Sequence, residues 1–239
     1  MSGHSKWSTI KHKKAALDSK RGKLFTKIIK EISVAARAGG GDPQGNPRLR
    51  FLIEKARSVN MPSDNVMRAI KKGTGELPGQ QYEAITYEGY GPEGVAVIIE
   101  VLTDNKNKAV AELRHVFSRE GGNLGETGSV NWMFERSSVV HCTGENFTED
   151  ILLENFIEYP VKDIVKSEPN TFIVTGEPHA CETIKQAATE LGLKIKEAEL
   201  EWIPKTTVTL TESQEERALQ FLNKLEEFDD VQNIYANLG

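Results

Sequence analysis

The sequence predicts an α+β protein in which a basic three-helix N-terminal domain precedes two ferredoxin-like α/β domains, one inserted into the other. Apolar residues recur with a helical period before residue 80, and strand-like segments alternate with helices after it. Charge changes at the same point: residues 1–80 hold 17 Lys and Arg against 6 Asp and Glu, whereas residues 81–239 hold 13 against 29. We expect domains at 1–80, at 81–134 with 205–239, and at 135–204.

The first 22 residues are rich in Lys, Ser, His and Gly and show little apolar periodicity. This composition is typical of a flexible basic arm, and a solvated tail is the alternative to a binding role. Cations in the arm would neutralise phosphates, and an aromatic ring would stack on an unpaired base. The candidate nucleic-acid-binding residues in this arm are Lys6, Trp7, Lys11, His12, Lys13, Lys14, Lys20 and Arg21.

A helix is predicted from Lys23 to the glycine run 39–41, which ends it. At about 100° per residue its apolar side chains share one face. Lys23, Lys27, Lys30 and Arg37 lie on the opposite face, within about 80° of each other. We predict that this face meets phosphates, so that reversing Lys27 and Lys30 to Glu weakens binding without unfolding the helix.

Asn46 and Pro47 predict the start of a second helix, as N-cap and first helical residue. Its Arg50 and Arg57 lie seven residues apart and form a second group of candidate phosphate contacts. A third helix is predicted from residues 61–64 to the glycines at 73 and 75. The cations that extend this surface, or that belong to an ordinary polar helix face, are Arg48, Arg68, Lys71 and Lys72.

After residue 80 the pattern predicts strands and helices in alternation. Strands are expected at 82–90, 95–103, 129–134, 139–142, 161–166, 171–175, 194–202, 207–210 and 231–235, and helices at 107–120, 148–156, 180–191 and 212–225. Between 139 and 202 the order is strand-helix-strand-strand-helix-strand, which is that of ferredoxin-like domains. The C-terminal pieces are expected to complete the sheet that begins at residue 82.

Histidine and cysteine residues occur in the sequence, but not at the spacing that a metal site or a catalytic site requires. His141 and Cys142 are neighbours in a predicted strand and point to opposite faces, so they do not readily share a zinc ion with His179 and Cys181. No metalloprotease motif, phosphate-cradling glycine loop or nucleophile elbow is found. We therefore expect no enzyme activity, no cofactor and no metal. The glycines at 121–125 predict a helix stop and turn, or a loop that contacts a partner.

Composition also indicates the compartment. No apolar run approaches the ~20 residues that span a bilayer, and charges follow the N-terminus instead of an apolar signal core. The two cysteines fit a reducing compartment. We expect a cytoplasmic protein with no membrane contact, and a monomer, since no dimer-forming motif is found.

Five motifs resemble the YebC/PmpR family: SGHSKW at 2–7, FTK at 25–27, the stretch 42–50, YEGYGP at 87–92, and GGNL with the residues up to 130. The resemblance covers essentially the whole chain. It implies three domains with a basic helical N-terminal domain, and a regulator of transcription that binds DNA. It also implies kinship with mitochondrial translational activators and with bacterial proteins linked to stalled ribosomes. Because the first motif starts at residue 2, no presequence is expected.

Charge and resemblance together predict a non-catalytic nucleic-acid-binding regulator of gene expression. The alternative target to DNA is ribosomal RNA, with a role in relieving stalled elongation. Backbone recognition is expected in both, because neither helix-turn-helix spacing nor an RNA-recognition motif is found. The acidic α/β domains would repel nucleic acid and stay free for the ribosome or other protein partners. An enzyme and a pure interaction scaffold are the competing classes.

Overall fold

The structure is a computed structural model that describes Trp7 and residues 21–239, without the side chain of Arg21. The described residues form two compact units. One unit holds residues 21–129 and 210–234, and the other holds Trp7, residues 130–209 and residues 235–239. In these ranges no helix is both long enough and apolar enough to cross a membrane.

Seven helices and eight strands follow one another along the described part of the chain. In order they are α1 (Arg21–Gly39), α2 (Pro47–Ser58), α3 (Ser63–Thr74), β1 (Glu83–Tyr90), β2 (Ala96–Thr103), α4 (Lys106–Arg119), β3 (Asn123–Leu124), β4 (Phe134–Thr143), α5 (Glu149–Asn155), β5 (Val161–Glu168), β6 (Thr171–Gly176), α6 (Cys181–Glu190), β7 (Lys194–Pro204), α7 (Glu212–Glu226) and β8 (Val231–Ala236).

The predicted start of α2 is confirmed by its capping. The side chain of Asn46 accepts a 3.0 Å hydrogen bond from the backbone N–H of Leu49, and Pro47 takes the first helical position. The Asn46 amide also donates to the carbonyl oxygens of Ala35 and Gly40, each at 2.9 Å. A single buried side chain therefore joins the end of α1 to the start of α2.

Helices α1, α2 and α3 share one apolar core, and the predicted apolar stripes of all three are confirmed. The buried members of this core are Ile28, Ile32, Ala35, Ala36, Leu49, Leu52, Ala56, Met61, Val66, Ala69 and Ile70. Helices α2 and α3, of 12 residues each, are too short to be stable alone, so burial of these side chains supplies most of their stability. The polar faces of the helices are not part of this core.

Gly73 lies where α3 packs against α1. A Cβ at this position would lie 2.4 Å from the carbonyl oxygen of Ser33 and 2.9 Å from the Cβ of Ala36. Replacing Gly with Ala inside a helix normally stabilises it by up to about 1 kcal/mol. Here we expect overpacking to dominate, so that Gly73→Ala lowers the free energy of unfolding by about 2 kcal/mol, measured by urea denaturation.

Gly22 provides the matched control, because it is exposed in α1 and a Cβ there would meet nothing within 4 Å. We expect Gly22→Ala to leave the stability unchanged or raise it by up to about 1 kcal/mol. Equal stabilities of the two variants would contradict the close approach of α1 and α3.

The remainder of the first unit is built on a four-stranded sheet with the order β3-β1-β2-β8. Strands β1 and β2 are antiparallel, with Glu83 opposite Thr103 and Tyr90 opposite Ala96. The sheet therefore includes the C-terminal strand, as the sequence predicts. Helices α4 and α7 contact each other through Phe117 and Phe221, whose rings meet edge to face with 4.9 Å between their centroids.

The second unit contains a sheet with the order β5-β6-β4-β7, in which neighbouring strands are antiparallel. The predicted order of elements, strand-helix-strand-strand-helix-strand, is confirmed. Strands β5 and β6, which match the strands predicted at 161–166 and 171–175, form a hairpin, and its turn residue Asn170 has a φ of 60°. The core between this sheet and its helices includes Val140, Leu152, Phe172 and Ile184, all fully buried.

Two strand predictions are corrected, and one short strand was missed. Residues 129–134 are not a strand: residues 131–133 form a 3-10 turn, and β4 begins only at Phe134. This turn buries Val130 and Phe134 and exposes Trp132 between them, which imitates the alternation of a strand. The predicted strand 207–210 is reduced to one bridge between Val208 and Leu238. The two-residue strand β3 is too short to produce a period and was not predicted.

Candidate nucleic-acid interface

Most of the basic arm lies outside the described residues. The predicted contacts concerned are Lys6, Lys11, His12, Lys13, Lys14 and Lys20, and Arg21 is described only as the first backbone residue of α1. Their role in nucleic-acid binding stays a prediction. Trp7 is described, and its side chain is only 1% exposed. The expectation that its ring stacks on an unpaired base is therefore not met in this conformation, because a large apolar ring is buried instead of presented.

The predicted cationic face of α1 exists, but a large part of it contacts the chain's own C-terminal segment. Lys23 donates to the carbonyl oxygen of Glu227 at 3.0 Å, and Lys27 donates to that of Gln232 at 3.3 Å. These partners are more than 200 residues away in the sequence. Backbone carbonyls of the turn after α7 and of β8 thus accept hydrogen bonds from cations that the sequence analysis assigned to phosphates.

Among the lysines of α1 that contact this segment, Lys30 is the most deeply buried. Its side chain is 7% exposed, and its Nζ lies 2.5 Å from the carboxylate of Asp230. The same ammonium donates to the carbonyl oxygen of Asp229 at 2.9 Å, and Thr103 donates its hydroxyl to Asp230 at 2.8 Å. Such a network satisfies a buried ammonium, which would otherwise be costly to remove from water.

Lys30 is therefore withdrawn from the list of phosphate contacts. The expectation that Lys27 and Lys30 can both be reversed to Glu without unfolding the helix is wrong for Lys30. A glutamate there would bury a second carboxylate beside Asp230, and like charges at that distance repel. The helical period correctly places Lys30 opposite the apolar core, but it carries no information about what covers that face.

Arg37 lies on the same face, near the end of α1, and remains exposed. One of its terminal nitrogens donates to the carbonyl oxygen of Tyr82 at 2.6 Å. A guanidinium has five N–H donors. Because the structure gives Arg37 no carboxylate partner among the described residues, most of its donors remain available.

Helices α2 and α3 carry six cations that are exposed to solvent. We call the six of them the helical cationic surface: Arg48, Arg50, Arg57, Arg68, Lys71 and Lys72. All six are exposed, and across residues 21–239 none of them forms an ion pair. Glu54, which lies within one helical turn of both Arg50 and Arg57, pairs with neither.

The arrangement on α3 is costly for an isolated helix. Arg68 lies three residues before Lys71 and four before Lys72, so the three cations are neighbours on the face opposite Val66 and Ile70. Like charges at these spacings destabilise a helix by a few tenths of a kcal/mol. Part of this lost stability is offset because Lys71 and Lys72 lie in the last turn, where the helix dipole favours cations. An anion bound at this exposed face would reduce the repulsion among the three cations.

The glycine-rich segment 121–125 holds β3 against β1. A Cβ on Gly122 would lie 2.5 Å from the carbonyl oxygen of Tyr90, and a Cβ on Gly89 would lie 2.6 Å from that of Asn123. The buried Glu88 accepts a 2.9 Å hydrogen bond from the backbone N–H of Gly128. Packing therefore accounts for these glycines, and contact of the loop with a partner stays a prediction.

Neither cysteine offers a reactive thiol. Burial raises the pKa of the Cys142 thiol to about 11, and burial also raises that of Cys181. Both thiols are protonated at neutral pH, whereas metal ligation and nucleophilic attack require the thiolate. Throughout the described ranges, no group of three or more His, Cys, Asp and Glu side chains is placed to hold a metal ion.

Two family models match this chain. One, described as "TACO1/YebC protein N-terminal domain", matches residues 5–76, and the other, "TACO1/YebC second and third domain", matches residues 82–238. The chain belongs to the TACO1/YebC family. The resemblance predicted from the motifs is confirmed, and the two matches meet where the chain changes from basic to acidic.

Relatives of this TACO1/YebC-family protein match it along nearly its whole length. A "Probable transcriptional regulatory protein" of Syntrophus aciditrophicus is 52% identical over 99% of this chain and 95% of the relative. A protein of the same name from Treponema pallidum is 52% identical over 99% of this chain and 96% of the relative. The crystal structure of the conserved hypothetical protein Aq1575 from Aquifex aeolicus matches with a TM-score of 0.85 and 44% identity, covering 94% of this chain and 93% of that one.

Family membership also bears on the class of function. The TACO1/YebC family consists of probable transcriptional regulators and is non-enzymatic. The enzyme alternative is therefore discarded. What the protein binds is a separate question, and it depends on the cations that the fold leaves exposed.

Proposed function

We propose that this TACO1/YebC-family protein is a nucleic-acid-binding regulator of gene expression that contacts phosphates through the helical cationic surface. One observation carries the proposal: six exposed cations on α2 and α3 have no carboxylate partner among residues 21–239, although the chain as a whole is acidic. The relatives' name, "Probable transcriptional regulatory protein", favours DNA as the target.

Phosphate contact explains the exposed arginines better than solvation alone. A guanidinium pairs with two phosphate oxygens in a fork, and each phosphate neutralised releases condensed counterions. Such contacts orient the protein on a duplex without reading its sequence. The cations of the basic arm would add further phosphate contacts. We assign the acidic remainder of the chain to protein contacts, because it would be repelled by a phosphate backbone.

Salt dependence tests the proposal. We expect the affinity for a short labelled DNA duplex to fall with salt, with a log–log slope of about −0.9 for each phosphate contacted, hence about −3 to −5 overall. Arg50→Gln should make this slope shallower by about 1, because one phosphate contact is lost. Fluorescence anisotropy at several salt concentrations measures both slopes.

The matched control is Lys194→Gln, which removes an exposed cation from β7 in the other compact unit and should leave the slope unchanged. A structured fragment of ribosomal RNA, titrated in parallel, separates the two candidate targets by their relative affinities. Binding that does not respond to salt would favour the interaction scaffold and overturn the proposal.

A further inference from the structure

A small crevice opens where the C-terminal ends of α1 and α3 meet the segment that leads into β1. Its cavity volume is about 20 Å³, and it is open to solvent on one side. Pockets that enclose whole small molecules usually measure roughly 300–1,000 Å³. This crevice therefore suits a single chemical group. Its lining consists of Ser33, Val34, Arg37, Lys72, Gly73 and residues 80–82, with no acidic side chain among them.

Arg37 is held in place at this crevice. Its 2.6 Å hydrogen bond to the carbonyl oxygen of Tyr82 uses one of the five N–H donors of the guanidinium. The bond restricts the side chain, so less conformational entropy would be lost when the remaining donors meet a ligand. In the described part of the chain those donors meet no carboxylate.

Lys72 reaches the crevice from the last turn of α3. Its aliphatic stem packs against Gly79, where a Cβ would lie 3.0 Å from both Cγ and Cδ of the lysine. The ammonium has no hydrogen bond or ion pair with any described residue. The stem is therefore positioned by packing, while the charge has no partner in the part of the chain that the structure describes.

Tyr82 adds no negative charge to the lining. Its hydroxyl donates to the side-chain oxygen of Gln80 at 3.1 Å. Burial, and then the nearby Asp104 and Asp230, raise the pKa of Tyr82 above its ordinary value, so the phenol stays neutral. Among the described lining residues, the formal charge therefore comes from Arg37 and Lys72. A cleft lined by one sign of charge concentrates its field on an ion of the opposite sign.

We propose that this crevice binds one phosphate group, with Arg37 forking onto two phosphate oxygens and Lys72 supplying a second positive charge. The source of the phosphate rests on the proposed function: Lys72 also belongs to the helical cationic surface, so a nucleic-acid backbone lying on that surface would bring a phosphodiester to the crevice. Free phosphate has the same oxygen chemistry and is the other source.

The first arm of the test uses the full chain and a labelled DNA duplex. Arg37→Gln and Lys72→Gln should each lower the affinity about fivefold. The double variant should lose less than the product of the two single losses, because both side chains hold the same phosphate. Its salt slope should become shallower by about 0.9, the contribution of one phosphate. Lys194→Gln is the control, and thermal unfolding of each variant checks the fold.

The second arm uses inorganic phosphate without nucleic acid. Titrating phosphate against chloride at constant ionic strength should shift the backbone amide signals of Gly73 and Tyr82 in NMR spectra of the wild type, but not of the double variant. Shifts in this arm with unchanged DNA binding in the first would support a site for free phosphate and overturn the backbone as its source. No effect in either arm would overturn the crevice as a phosphate site.

The proposed function can fail separately. If Arg50→Gln weakens salt-dependent binding while the crevice variants bind as wild type and phosphate shifts no amide, the crevice is excluded and the function stands. If the wild type shows no salt-dependent binding to DNA or RNA, the function fails, and the phosphate titration alone decides on the crevice.

Discussion

Reversing Arg50, Arg57 and Arg68 to Glu together is expected to lower the affinity for duplex DNA by about 100-fold at moderate salt. Each arginine is exposed and without an ion pair among the described residues, so each is available for a charge-assisted contact. A loss of about 1 kcal/mol per contact, taken three times, gives this magnitude, and repulsion between the new carboxylates and phosphates adds to it. The salt slope should become shallower by about 3.

The measurement is equilibrium binding of a labelled duplex across a salt series, with two matched comparison variants and a check of the fold. The Gln variant at the same three positions removes charge without adding repulsion, so it should lie between the wild type and the Glu variant. Reversing Lys194 and Lys196, two exposed cations of β7, should have little effect. Circular dichroism should be unchanged, because the three arginines lie outside the apolar core of α1, α2 and α3. Wild-type affinity in the triple Glu variant would remove the helical cationic surface from the proposal.

Local structure in this chain follows closely from local sequence. The cap at Asn46, the apolar stripes of three helices and the hairpin turn at Asn170 are all encoded within a few residues of where they occur. The order of strands and helices between 139 and 202 is also predicted correctly. The error at 129–134 arises because a turn there buries the same side chains as a strand would. The segment 207–210 keeps the alternating exposure of a strand but forms only one bridge.

The candidate site was harder to predict because it depends on which cations contact other parts of the folded chain. The period of α1 places Lys23, Lys27, Lys30 and Arg37 on one face, and that assignment agrees with the structure. The partner of that face is the turn around residue 230, about 200 residues later. A paired acidic motif, Asp229-Asp230, was visible in the sequence, but only the sheet order that brings β8 beside β2 places it near α1.

Lys30→Met is expected to lower the free energy of unfolding by about 3 kcal/mol. Methionine keeps the volume of the stem but leaves the carboxylate of Asp230 with the hydroxyl of Thr103 as its remaining polar partner among the described residues. Removing one member of a buried ion pair usually lowers the free energy of unfolding by about 3 to 5 kcal/mol. We expect a loss at the lower end of this range, because the side chain of Asp230 is 21% exposed and stays partly hydrated. Urea denaturation monitored by circular dichroism measures the loss.

Lys23→Met is the matched control, because Lys23 is exposed and donates to the single carbonyl oxygen of Glu227. Its substitution should change the stability by less than about 0.5 kcal/mol. Asp230→Asn, combined with Lys30→Met in a double-mutant cycle, should show that the two losses are not additive. A Lys30→Met variant as stable as Lys23→Met would contradict the structural role and return Lys30 to the cations available for binding. The outcome also governs how binding data are interpreted, since any Lys30 variant that unfolds loses nucleic-acid affinity without having contacted a phosphate.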